Sequence, residues 1–201
     1  MIIVVTGATG AAGRAVCARL RERGDDVVAV GTDAGRLASV QASDRRVADL
    51  TDAGAARALA AEVASAHRRV DAVLHLVGGW KPGDTPEADA WLRPRVVGTL
   101  DNVIAAFEPE LAASEGRLAI VSSAAIDPEA EPTSSYARAK LAAEELVAEL
   151  ADRLAASDAA ATVFAVRSIG ESGTPAALLA ERFAAWLDAP AAEVNGARIR
   201  L

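Results

Sequence analysis

The chain has one cysteine, Cys17, which excludes an internal disulfide and any zinc site built from cysteines. Two histidines among scattered carboxylates leave no metal-ligand spacing either. No run approaches the ~20 apolar residues of a membrane helix. The apolar opening stretch lacks a basic lead-in and is broken by Thr6, Gly7, Thr9 and Gly10, so it does not read as a signal peptide. Basic residues are outnumbered 28 to 21, and a net charge of -7 repels a phosphate backbone, which argues against nucleic-acid binding. Neither repeats nor low-complexity linkers divide the sequence. What is present is enough for a core: 52% hydrophobic against 24% charged residues over 201 positions, about one domain's length. The expectation is one cytoplasmic domain spanning residues 1–201, with no membrane or nucleic-acid partner.

Short apolar runs alternate with longer amphipathic ones. Ile2-Ile3-Val4-Val5 reads as a buried strand, and residues 12–23 as a helix stopped by Gly24. Further strands are expected at 27–30, 46–48, 70–77, 118–121, 162–166 and 197–200. Helices are expected at 34–41, from an N-cap at Thr51 to His67, at 87–107 with a kink at Pro94, at 135–156 and at 176–187. His67 would cap the end of its helix, and Cys17 would be a small buried hydrophobe. This alternation implies an α/β, doubly wound parallel sheet of about seven strands with helices on both faces.

Where the first strand meets the first helix stands Thr6-Gly7-Ala8-Thr9-Gly10-Ala11-Ala12-Gly13. Glycines there let backbone N–H groups approach a pyrophosphate at the helix N-terminus. The spacing is Gly-x-x-Gly-x-x-Gly with no Gly-Lys-Ser/Thr ending, which excludes an ATP-type phosphate loop. Further on, Tyr136 and Lys140 are four apart at the start of the longest helix and share a face. A phenol titrates near pH ~10, so it needs a neighbouring cation to trade protons at neutral pH. Ser122 and Ser123 end the fifth expected strand, at the edge where the glycine loop lies, and a hydroxyl there can hold a carbonyl.

Taken in this order, the glycine loop, Ser123 and Tyr136-x-x-x-Lys140 resemble the short-chain dehydrogenase/reductase family over essentially the whole chain. Asp49-Leu50 resembles the family's adenine-contacting segment, and His75-Leu76-Val77-Gly78-Gly79 fills the slot of its Asn-Asn-Ala-Gly stretch. Gly78-Gly79-Trp80 and the Phe183-x-x-Trp186-Leu187 stretch are also similar to the dihydropteridine reductase branch. The resemblance implies a Rossmann-type sheet and an NAD(P)-dependent oxidoreductase acting on a small carbonyl, alcohol or pterin-like C=N. In it Tyr136 is the acid/base, Lys140 lowers the tyrosine pKa and binds the nicotinamide ribose, and Ser123 orients the substrate. Cofactor contacts are expected from Gly7, Thr9, Gly10, Ala11, Ala12, Gly13, Thr32, Asp49, Leu50, Val77, Gly78, Gly79, Tyr136 and Lys140. Substrate contacts are expected from Trp80, Arg95 and Ser123. No metal is implied, and family members often pair through two long helices, so a homodimer or homotetramer is expected.

Several positions depart from the family pattern. Arg95 replaces the catalytic asparagine of Asn-x-x-Gly-Thr, His75 reads as a structural replacement rather than a base, and Arg167-Ser168 replaces a Pro-Gly. Only a short link remains after Thr174-Pro175, where the family has a substrate-covering loop. These changes leave an alternative: a dinucleotide-binding regulatory or scaffold protein. Gly31 stands where NAD enzymes carry a carboxylate, with Thr32 and Asp33 next, so NADP is preferred over NAD. Arg14 and Arg36 are candidates for a phosphate contact, while Asp33 could still serve an NAD ribose.

Overall fold

The structure is a computed structural model that describes residues 1–170 and 172–201. β1 (Ile2–Thr6) opens a seven-stranded sheet with β2 (Asp26–Gly31), β3 (Asp44–Val47), β4 (Ala72–His75), β5 (Arg117–Ser123), β6 (Ala160–Val166) and β7 (Arg198–Arg200). All pairings are parallel, in the order β3-β2-β1-β4-β5-β6-β7. The expected Rossmann-type sheet is therefore the one observed.

Side chains alternate across a strand, and here both faces are covered, which is why β1 is apolar from Ile2 to Val5. Ile3 and Val5 meet α1 (Ala11–Arg23) and α7 (Ala176–Asp188) through Val16, Leu20, Leu179 and Phe183. Val4 meets the opposite layer, made by α3 (Ala53–His67), α5 (Thr99–Ser114) and α6 (Ser135–Leu154), through Val63, Phe107, Val147 and Leu150. Phe164, Phe183 and Trp186 pack tilted or edge-on, with Phe164 and Phe183 centred 4.5 Å apart, and the Trp186 indole donates to Thr162 Oγ1 at 3.0 Å. Burial pushes the Cys17 thiol up to about 12, so it behaves as a small hydrophobe.

Several local expectations are corrected. Asp52, not Thr51, caps α3: its carboxylate accepts from Gly54 N at 2.7 Å, while the Thr51 hydroxyl donates to Asp49 at 2.7 Å. A carboxylate also answers the positive helix end, which a hydroxyl does not. Arg68, in left-handed conformation at φ 65°, ends that helix, and His67 instead reaches Asp44 at 3.3 Å. The kinked helix expected at 87–107 runs without a break through three segments: α4 (Pro86–Arg93), a π-helical turn (Pro94–Gly98) and α5. Proline offers no N–H to the preceding turn, and Thr99 N–H returns to Pro94 O, five residues back. β4 is shorter than expected at both ends; Leu76 N still donates to Thr6 O at 3.2 Å, and residues 77–80 beyond it border the site. The short helices are α2 (Ala34–Ala38) and α8 (Ala191–Val194), the second not anticipated.

β1 lies between β2 and β4, so strand order reverses there. At such a switch point a crevice opens beyond the carboxyl ends of the strands.

Candidate active site

The glycine loop occupies that crevice. Gly7 has φ +65°, and a Cβ on it would lie 2.6 Å from Leu76 O. A Cβ on Gly13 would collide with Gly7 O and come within 2.6 Å of Ala8 Cα. Both positions require glycine. Gly10 caps α1 without a side-chain hydrogen bond, and no acid lies in the first turn with Ala11, Ala12 and Gly13. The positive end of α1 thus faces the crevice without a carboxylate to answer it.

Two adjoining cavities share Val77 and Gly78. One, of about 570 Å³, is lined by Gly7, Thr9, Gly31, Thr32, Asp49, Leu50 and Arg95. The other, of about 750 Å³, is lined by Gly79, Trp80, Ser123, Tyr136 and Lys140 among others. The three residues read as catalytic are therefore brought to one cavity with Gly79, while Gly7, Thr9, Thr32, Asp49 and Leu50 line its neighbour, Val77 and Gly78 border both, and Gly10, Ala11, Ala12 and Gly13 line neither. Arg95 stands apart from Ser123 and Tyr136: its guanidinium lies over the Trp91 ring at 4.5 Å and donates to Trp91 O at 2.9 Å. Trp80, 68% exposed, forms the rim of the larger cavity.

Ser134 caps α6, accepting from Ala137 N at 3.1 Å, which sets Tyr136 in the first turn. Lys140 follows one turn later. Its buried ammonium donates to Val121 O at 2.8 Å and lies 6.0 Å from the Tyr136 ring centre. Burial lowers Lys140 to about 8, opposed by the charge of Glu144. Burial also raises the Tyr136 phenol above its ordinary value. The lowering by Lys140 that the sequence implies is thus not what this arrangement shows, where burial alone sets the direction. Ser123 Oγ accepts from Ala125 N at 3.3 Å.

His75 is fully buried between Thr6 Oγ1, 2.9 Å from Nδ1, and Thr99 Oγ1, 3.2 Å from Nε2. Thr99 donates its own proton to Arg95 O at 2.7 Å, so it accepts from His75, which assigns the ring proton to Nε2. Burial, with Lys140 nearby, holds the pKa at about 3. His75 is a neutral brace between β1 and α5, not a base.

On the far side of the glycine loop, Asp33 caps α2, its carboxylate accepting from Arg36 N at 2.7 Å. Arg14 Nε and an Arg36 guanidinium nitrogen both donate to Thr9 O, at 3.2 and 3.3 Å. The Asp49 carboxyl is held below its usual range by hydrogen bonds from Thr51. Among the described residues, no group of three or more His, Cys, Asp and Glu side chains gathers to hold a metal, and no helix is long and apolar enough to cross a membrane.

Sequence reasoning missed Glu144 and Arg198, which meet behind the larger cavity at 2.7 Å with side chains only 10% and 19% exposed. The 136/140/144 spacing was a usable signal, since it puts Glu144 on the face of Tyr136 and Lys140.

A family model described as short chain dehydrogenase matches residues 1–169. A search of curated proteins finds no match. Among solved structures, a metagenomic short-chain oxidoreductase in complex with NADP is 22% identical with TM-score 0.85, the match covering 100% of this chain and 96% of that one. A short-chain type dehydrogenase/reductase from Mycobacterium ulcerans is 20% identical with TM-score 0.88, covering 100% and 87%. An alcohol dehydrogenase from the archaeon Thermococcus sibiricus, complexed with 5-hydroxy-NADP, is 18% identical with TM-score 0.85, covering 100% and 95%. At these identities the structural likeness establishes the fold.

Proposed function

The chain belongs to the short-chain dehydrogenase family of NAD(P)-dependent oxidoreductases, and from that premise we propose that it interconverts a small carbonyl (or pterin-like C=N) and its reduced form, with NADP as the preferred cofactor. The observation that carries this reading is the cavity that gathers Ser123, Tyr136 and Lys140 and opens at Gly78 onto the glycine-loop groove.

The residues present fit a dinucleotide. Gly7 and Gly13 let the loop close against Leu76 and Ala8 as no residue with a Cβ could, and the α1 N-terminus beside it carries no competing acid. When bound, the nicotinamide supplies the hydride. Gly10, Ala11 and Ala12 hold the pyrophosphate, Asp49 and Leu50 border the adenine, and Lys140 binds the nicotinamide ribose. Ser123 orients the substrate carbonyl, and Tyr136 delivers or removes the proton at its oxygen. Lys140, a cation below about pH 8, favours the tyrosinate that forms when the proton leaves. Trp80 borders the substrate. Arg95 belongs by position to the adenine side of the groove rather than to the substrate.

Support for NADP comes from the second strand and the loop beside it. Gly31 offers no carboxylate to repel a 2′-phosphate, and Asp33 is engaged as a helix cap. Arg14 and Arg36 converge at Thr9, where that phosphate would sit. A homodimer or homotetramer joined through α5 and α6 is part of the same reading. The alternative, a dinucleotide-binding regulatory or scaffold protein, is favoured by one observation: Arg95 turns onto Trp91, away from the cavity of Ser123 and Tyr136.

The test is consumption of NADPH over a panel of aldehydes, ketones, diketones and pterin-like C=N compounds. Turnover is expected with at least one, and in the Arg14→Ala/Arg36→Ala double variant KM for NADPH rises about tenfold or more while KM for NADH moves little. Consumption with none of them, despite NADPH binding, favours the scaffold.

A further inference from the structure

Three catalytic side chains on two elements need a tie between those elements, and the structure contains one. Glu144 lies one turn beyond Lys140 on α6, and its carboxylate accepts from the Ser122 hydroxyl on β5. Arg198, from the edge strand β7, donates through Nε to the same carboxylate at 2.7 Å. Its other end donates to Ser123 O at 3.0 Å and Ile126 O at 3.1 Å. Ser123 is the last residue of β5, paired to Val166 of β6, and the chain is irregular from there until α6. The carbonyls that Arg198 grips are thus those of the turn leaving the catalytic serine.

A largely buried ion pair contributes little net stability, because desolvation offsets most of the attraction. What this pair supplies is direction: one carboxylate joins the Tyr136–Lys140 face of α6 to β5, and one planar guanidinium closes the link on the Ser123 backbone. We propose that Glu144 and Arg198 are a positioning pair that sets the Ser123 hydroxyl against Tyr136 and keeps a negative charge beside Lys140. The inference rests on the assignment of Ser123, Tyr136 and Lys140 above. Neither residue touches substrate; both act through Ser122, Ser123 and Lys140.

The groups beside the Lys140 ammonium are neutral His75 from β4 and Tyr136 and Glu144 from α6 itself, while Arg167, following β6, lines the same cavity. Glu144 is the anion of this set. Neutralising it disfavours the ammonium, so the Lys140 midpoint moves to lower pH.

The chain has two lysines, Lys81 and Lys140. Isotope-labelled lysine therefore gives two resonances, which Lys81→Arg assigns, and Lys140 can be titrated by NMR without substrate. In Glu144→Gln the Lys140 midpoint is expected to fall by about half a pH unit or more. With a carbonyl that the wild type reduces, kcat falls about tenfold or more in Glu144→Gln and in Arg198→Lys, with KM for NADPH within about twofold. Both substitutions are conservative, and a thermal melt confirms the fold of each. A lowered melting temperature alone, with wild-type kcat and an unmoved Lys140 resonance, would make the pair a structural tie and overturn the inference. A wild type that turns over no carbonyl is a failure of the functional reading instead, and the Lys140 titration then still decides whether Glu144 holds that charge.

Discussion

Tyr136→Phe is expected to lower kcat by about 10²–10⁴-fold, the range for loss of a positioned proton donor, while leaving NADPH affinity within about threefold. The ring is half-buried and packs against the core between α6 and the sheet, so phenylalanine keeps the packing and removes only the hydroxyl. The phenol is also the chain's sole tyrosine, so tyrosinate absorbance before and after substitution identifies its ionisation without ambiguity. Steady-state kinetics beside a calorimetric titration separate the two quantities. Equal loss of binding and turnover would mean a damaged groove, and unchanged turnover would place the proton donor elsewhere.

The second large effect belongs to Gly13. Alanine there would drive a methyl group into Gly7 O and within 2.6 Å of Ala8 Cα, both backbone atoms of the loop itself. Gly7 cannot yield easily, since it is in left-handed conformation against Leu76. Relief requires moving α1 off the loop, which removes the close approach of N–H groups that a pyrophosphate needs. We expect Gly13→Ala to weaken NADPH binding at least about 100-fold, and overpacking to lower stability by about 1–3 kcal/mol. Gly10→Ala serves as the comparison, because its Cβ would meet Gly7 O at 3.4 Å, ordinary contact, and the fold should keep nearly its full melting temperature. Equal destabilisation by the two substitutions would contradict this steric account.

Much of the fold and of the site is legible in the sequence. β1 is apolar at every position from Ile2 to Val5 because both faces are covered, and that pattern distinguishes a parallel sheet from an edge. The glycine spacing reads directly as a loop that a Cβ cannot enter, as Gly7 and Gly13 demonstrate. What was not readable depended on partners distant in sequence or on competition between neighbours. Thr51 and Asp52 are both acceptable caps by type, and only the local geometry chose Asp52. Pro94 signals a disturbed helix but not that a wider turn will absorb it without a break. Arg95 reads as a substrate contact by analogy of position, and its stacking on Trp91 within the cavity of Asp49 and Leu50 depends on neighbours that the analogy does not include. Glu144 reads as one more charge on a helix rich in them, because its partner, Arg198, lies 54 residues further on.

The central claim is that the glycine-loop groove takes a nicotinamide dinucleotide, with NADP preferred. Calorimetric titration of the protein with NADPH and, separately, NADH tests it most directly. Micromolar binding of NADPH and weaker binding of NADH are expected. Heat of binding from neither would contradict it, leaving the loop without its ligand and the oxidoreductase reading without support.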